Sequence, residues 1–248
     1  MKKLVLGSLM AVIVSQAAGC IITSDDDDYA VINAQWDLQT TAGTSLTCPP
    51  GTTTAAVYAQ AVDTSYRLVG SPYIDLYDCD IGVGNSDPLP PDVYQVWVEL
   101  TSEGGGNVYA TSTSLNEASP TDEYFVDVID FDQTFKTTIL EDGGYFQFDW
   151  DLRDTVTNQA LDCTTGAVSK VAILSTSVTN ANNSFDDRFP CDKQYGLTGG
   201  LLQGAYTLEV SATDPNGKGL GPQTEILNRT IAPKNKVTDL GTVTVRVD

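Results

Sequence analysis

The chain has 248 residues, with 13 basic and 33 acidic side chains, a net charge of −20 and no histidine. The missing histidine excludes Ser-His-Asp and Cys-His catalysis and every histidine-ligated metal site. The acidity repels phosphate backbones, so no nucleic-acid partner is expected.

Residues 1–19 carry Lys2 and Lys3, an apolar stretch from Leu4 to Val14, and the small residues Ala17, Ala18 and Gly19. That is the three-part layout of a secretory signal peptide. The stretch is shorter than the ~20 apolar residues a membrane span needs. Without Lys2 and Lys3 the remainder has 11 basic and 33 acidic residues, a net charge of −22. Residues 20–28 begin at Cys20 and carry Ser24 and four aspartates, a composition that reads as a solvated acidic tether.

From Tyr29 onward the chain reads as strands. Ile32, Ala34, Trp36 and Leu38 alternate with polar residues, the period of a half-buried strand. Val57, Ala59 and Ala61 form a weaker run, and Tyr94, Val96, Val98 and Leu100 a stronger one. Turn clusters separate them at Pro49-Pro50-Gly51, Pro88–Asp92 and Glu103–Asn107. No window of ten residues has a helical period. The fold class is all-β.

The second half repeats the first. Trp36-Asp37-Leu38 returns as Trp150-Asp151-Leu152, inside an alternation of Phe146, Phe148, Trp150 and Leu152. Cys48 and Cys163 follow those tryptophans by 12 and 13 residues. The run Asp75–Asp80 matches Asp187–Asp192, and Tyr94 and Tyr206 each lie 15 residues beyond Cys79 and Cys191. Two units are therefore expected, 29–140 and 141–248, each near the common domain size of ~100–150 residues. The join Glu141-Asp142-Gly143-Gly144 reads as a tight turn that leaves little hinge freedom.

Five cysteines in an exported chain leave one without a partner. Each copy can fold alone only if Cys48 pairs with Cys79 and Cys163 with Cys191. Each bridge then closes a loop of about 30 residues, worth roughly 3–4 kcal/mol in the chain-entropy model. Cys20 is the odd one out.

The signal ending in cysteine resembles the lipobox of bacterial lipoproteins, which implies a lipid on Cys20 and attachment to a membrane through it. The Ser-Asp-Asp-Asp-Asp run resembles surface-export signals of some Gram-negative lipoproteins. Ile21, where an aspartate would resemble inner-membrane retention, favours the outer membrane, with the protein periplasmic or surface-exposed. The unit itself, about 110 residues of short strands, suggests an antiparallel β-sandwich. Tyr77 and Phe189, two residues before the second cysteine, resemble the corner residue of immunoglobulin domains, although Trp36 and Trp150 precede the first cysteine. Leu89 and Leu201, five residues before Tyr94 and Tyr206, resemble carboxypeptidase-regulatory and prealbumin-like sandwiches. The whole unit is similar to repeats in uncharacterised predicted bacterial lipoproteins. These resemblances imply fold and location and carry no activity.

Sites for chemistry are sparse. Asp75 and Asp80, echoed by Asp187 and Asp192, are the candidate calcium ligands, but they lack the dense spacing of a calcium loop. Asp214–Gly219 reads as a turn. Among 33 acids some pair always lies close, so carboxylate pairs give no glycosidase signal. Hydrolase elbows, phosphate loops and zinc motifs are missing, and no catalytic residue or cofactor is assigned. Tyr58, Trp97 and Tyr145 are candidates for a carbohydrate or protein contact surface, or for packing across a sheet. The sequence thus leads to a non-enzymatic envelope protein that adheres, binds or scaffolds, with an envelope protein or a glycan as partner. A carbohydrate-binding or cation-dependent accessory module of a hydrolytic system is the alternative.

Overall fold

The computed structural model describes residues 29–65, 67–113, 125–128 (backbone) and 132–248, so Cys20, the signal-like stretch and the acidic run lie outside the described residues. Among those described there is no α-helix, only strands and three single turns of 3₁₀ helix. The first unit contains β1 (Ile32–Gln39), β2 (Thr54–Ala61), β3 (Tyr73–Asp78), β4 (Val83–Asn85), β5 (Asp92–Thr101), β6 (Val108–Thr111), β7 (Phe125–Val128) and β8 (Gln133–Leu140). Two sheets face each other: β4-β1-β8, and β3-β2-β5-β6 with β7 also on β5. The second unit contains β9 (Gly143–Asp154), β10 (Ala160–Leu161), β11 (Lys170–Ser177), β12 (Ser184–Pro190), β13 (Tyr195–Leu197), β14 (Leu201–Leu202), β15 (Gly204–Thr213), β16 (Thr224–Ile231) and β17 (Lys236–Val247). Here β9 pairs with β14, β13, β10 and β17, and the opposing sheet is β12-β11-β15-β16.

Alternation dictates this layering. Along β1 every second residue is buried, which turns Ile32, Ala34, Trp36 and Leu38 inward and leaves the polar residues half-exposed. Strand β5 does the same with Tyr94, Val96, Val98 and Leu100, and β9 and β15 repeat both patterns. Fully burying an aliphatic or aromatic side chain contributes about 1.5–3 kcal/mol. The residues gather in two separate cores, one around Trp36, Tyr94 and Phe135, the other around Phe148, Trp150 and Tyr206. All sheet pairings of β1–β8 stay within the first set of strands, and those of β9–β17 within the second.

Each unit has one parallel pair in an otherwise antiparallel sandwich. β1 runs parallel to β8 in unbroken register from Ile32↔Gln133 to Gln39↔Leu140. β9 runs parallel to β17, with a register shift between Asp239 and Thr242. Parallel neighbours need a long crossover, and here the whole intervening sheet supplies it.

The join differs from the tight turn expected. Glu141 and Asp142 alone connect the sandwiches, and Gly143 and Gly144 already belong to β9. A Cβ on Gly143 would sit 2.2 Å from the Leu201 carbonyl oxygen, and one on Gly144 2.1 Å from that of Lys236. The glycine pair is there so that β9 can be gripped closely from both sides.

Candidate functional site

The cysteines staple the same corner in both units. Cys48 is bonded to Cys79 and Cys163 to Cys191, with Cα–Cα distances of 6.2 and 5.9 Å. Cys79 and Cys191 are each buried in a one-turn 3₁₀ helix that follows the edge strand. The bridged corner packs on the tryptophan: the Trp36 indole N–H donates to the Cys79 carbonyl at 3.0 Å. The indole N–H of Trp150 is buried without a partner, and its ring lies among Phe148 and Phe189 instead.

The corner tyrosines are not the ones expected. Tyr77 donates to the Asn85 carbonyl on the neighbouring sheet, and its counterpart Phe189 cannot. The corner bond belongs to Tyr94 and Tyr206. Tyr94 donates back to the Pro90 carbonyl and Tyr206 to the Leu202 carbonyl, both at 2.9 Å and four residues upstream. Each opens the central strand of its sheet and is almost wholly buried. Burial pushes the Tyr94 hydroxyl up to about 12, with Tyr73 and Asp92 adding to the shift, and burial raises Tyr206 as well.

The repeated aspartates serve loops rather than an ion. Asp75 accepts the Asp87 N–H at 3.3 Å, and Asp187 accepts the Gly199 N–H at 3.1 Å, the same bond in both copies. Burial raises both carboxyls, partly offset by that N–H; Asp87 and Asp186 add smaller increments. Asp80 accepts the Cys48 N–H at 2.8 Å, while Asp192 is exposed on its 3₁₀ turn. Among the described residues no group of three or more acidic or cysteine side chains gathers in a metal-holding arrangement. Asp214 accepts the N–H groups of Asn216 and Lys218, both at 2.8 Å, closing the expected turn with Gly217 at φ 80°.

The sandwiches are locked together by residues that sequence reasoning missed. Asn235, in the turn between β16 and β17, is 2% exposed. Its Oδ1 accepts the Leu140 N–H at 2.8 Å, and its Nδ2 donates to the Thr111 carbonyl at 2.8 Å. Lys234 stands over the Tyr109 ring at 4.2 Å, and Tyr109 donates to Glu141. Burial and that bond hold the Tyr109 hydroxyl up at about 12. Asp142 accepts the Thr41 N–H at 2.7 Å. The available signal was the left-handed backbone of Lys234 and Asn235, which a Pro-Lys-Asn turn invites.

The outer faces of the two larger sheets differ. In the first unit Tyr58 and Trp97 are cross-strand partners stacked at 4.8 Å with planes 4° apart. Tyr145, grouped with them from sequence, is instead buried at the start of β9, because the glycines before it draw that strand between two partners. Beside Tyr58 and Trp97, on the edge strand β3, lie Ile74 and Leu76, 50% and 53% exposed. In the second unit Leu174 and Glu209 hold the places of the stacked rings. The edge strand β12 presents Asp186 and Arg188 there, paired at 2.6 Å. A depression of about 520 Å³ lies over this face, lined by Leu174, Asp186, Arg188, Glu209 and Gly217 among others.

No family model matches the chain, and no curated protein matches it in sequence. Among solved structures it is similar to a leucine-rich repeat protein from Bacteroides thetaiotaomicron at 11% identity and a TM-score of 0.40, covering 89% of this chain but only 26% of that one. The minor pilin GBS52 of Streptococcus agalactiae aligns at 10% identity and a TM-score of 0.29, over 88% of this chain and 96% of the pilin. The fimbrial anchor protein Mfa2 of Porphyromonas gingivalis aligns at 14% identity and 0.25, over 80% and 83%. Likenesses this remote assign no activity.

Proposed function

We propose that this chain is a non-enzymatic envelope lipoprotein, held on the outer membrane through a lipid on Cys20, and that it works as an adhesion, binding or scaffolding module. The observation that carries the reading is the cysteine assignment. Four of the five cysteines are used in two matching bridges, and the fifth, Cys20, ends a signal-like stretch in the sequence, the place where a thioether to lipid forms in such signals. The locked junction supports a module that displays surfaces at a fixed spacing. The absence of histidine from the whole sequence supports the non-enzymatic part.

Glycan and calcium readings draw less support. Tyr58 and Trp97 cover each other's facing planes, leaving fewer ring faces for a sugar to stack on. The candidate aspartates Asp75, Asp80 and Asp187 are each engaged by a loop amide.

The test is Cys20→Ser in whole cells. The variant is expected in the soluble envelope fraction with both disulfides intact; continued sedimentation with membranes would sink the anchor.

A further inference from the structure

The two units are built on one plan, so positions that differ in chemistry while sharing a place in the sheet report what the fold does not require. The outer edge of the larger sheet is such a place. Among the described residues β3 pairs only with β2, as β12 pairs only with β11. Among the described residues, no backbone group of Tyr73–Asp78 bonds to the main chain of a residue outside that pairing. A free edge is a template for another strand, and proteins guard it with charges or proline.

β12 is guarded. Its outward side chains are Asp186 and Arg188, joined as an ion pair, and Pro190 ends it. β3 has Ile74 and Leu76 at the same register positions, opposite Tyr58 and Ala56 where β12 lies opposite Leu174 and Ala172. The hairpin leading into β3 adds Leu68 and Val69, both exposed, and Tyr73 begins the strand exposed as well. Since β12 holds its place in the sheet with charges, the apolar residues of β3 are not there to make the strand.

We infer that β3 is a docking edge at which an extended segment of another protein, alternating apolar and basic residues, adds as a further strand. The main-chain bonds come from the open edge, and apolar side chains of the incoming strand cover Ile74 and Leu76. Charge selects the partner. Asp78 ends β3, Asp80 follows it on the 3₁₀ turn, the Asp87 amide donates to Asp75 on the strand, and Asp63 lies in the preceding hairpin, where Arg67 is the described basic residue. A second copy of this chain is disfavoured. Pairing β3 antiparallel to itself about Asp75 sets two like carboxylates opposite each other, on chains of strong net negative charge. This deepens the binding-module reading without depending on the lipid.

The test uses the exported chain carrying Cys20→Ser and a capped ten-residue peptide of alternating valine and lysine, with a valine–glutamate peptide as control. Amide exchange by NMR should slow at the β3 amides that point away from β2 when the valine–lysine peptide is added, and not with the control. Ile74→Asp with Leu76→Arg, which copies the second unit, should weaken binding at least tenfold. The reverse pair, Asp186→Ile with Arg188→Leu, should create a second site at β12. Absence of protection at β3, or equal binding by the first variant, overturns the inference. So does a β3-dependent dimer in sedimentation, which would make the occupant a second copy. Membrane release by Cys20→Ser is read separately, so failure at the edge and failure of the anchor are distinguishable.

Discussion

The two sandwiches share strand order, disulfide, corner tyrosine and loop-holding aspartate, and of their differences three bear on function or stability. The Trp36 indole is hydrogen-bonded to the stapled corner, whereas that of Trp150 is not. The strand next to the central one is continuous as β16 in the second unit but split into β6 and β7 in the first, where additional chain intervenes. The outer edge is apolar in one and guarded in the other. The shared features all lie at the bridged corner and the inner faces. The differences in edge and outer face lie where packing places no demand, which is where two sandwiches of similar plan are free to carry separate surfaces.

The largest effect is expected at the staples. Replacing both cysteines of either bridge by alanine should cost roughly 3–4 kcal/mol, since each closes a loop of similar length. Equal losses in thermal melts of the two double variants support the shared-corner view. A much smaller loss on one side would show that the corner there is held by other contacts.

Next comes the junction. Asn235→Ala leaves the Leu140 N–H and the Thr111 carbonyl without partners and forces an alanine to φ 57°. Each buried group left unpaired costs about 1–3 kcal/mol. Asn235→Gly loses the same two hydrogen bonds but adopts that φ without strain, so the difference between the two variants isolates the strain. Both variants should loosen the coupling between sandwiches, read as a single melting transition separating into two.

A smaller effect separates the tryptophans. Trp36→Phe should destabilise by about 1 kcal/mol more than Trp150→Phe, because only the first leaves a carbonyl unsatisfied. Equal losses in denaturant would erase that distinction.

The smallest concerns pH. The folded state raises the Asp187 carboxyl above its ordinary value, so the native protein holds that proton more tightly than the unfolded chain. The contribution therefore favours folding at acid pH and is lost as pH rises through the folded value. Relative to the parent, Asp187→Asn should gain stability as pH rises above the ordinary carboxylate value, read from denaturant melts across the acid range. Asp75→Asn should move the same way, in proportion to how far that carboxyl is raised.

Strands with a strict period of two were readable because burying one face imposes alternation, as at Ile32–Leu38 and Tyr94–Leu100. The disulfide corner was readable through spacing repeated in two copies. The parallel partnering of β1 with β8 was not, since alternation fixes a strand's faces and says nothing about its neighbours. β16 was also hidden: its run Thr224–Ile231 keeps only Ile231 buried and shows no clear alternation. Gly143-Gly144 looked like a turn because the reason for glycine there is the approach of Leu201 and Lys236, residues distant in sequence. The same applies to Tyr77, which sits at the expected spacing while Tyr94 makes the bond. Asn235 and the β3 edge became visible only when long-range partners, or their absence, could be compared between units.

The parallel pairing of first and last strands has a mechanical consequence. Because β1 and β8 point the same way, the chain enters each sandwich at one pole and leaves it at the other, and so does the pair β9 and β17. Tension along the chain therefore pulls these strands lengthwise in opposite senses. The eight register pairs from Ile32↔Gln133 to Gln39↔Leu140 then bear the load together in shear, rather than opening one at a time like a zipper. A chain built this way resists extension by its topology, before any question of how tightly its cores are packed.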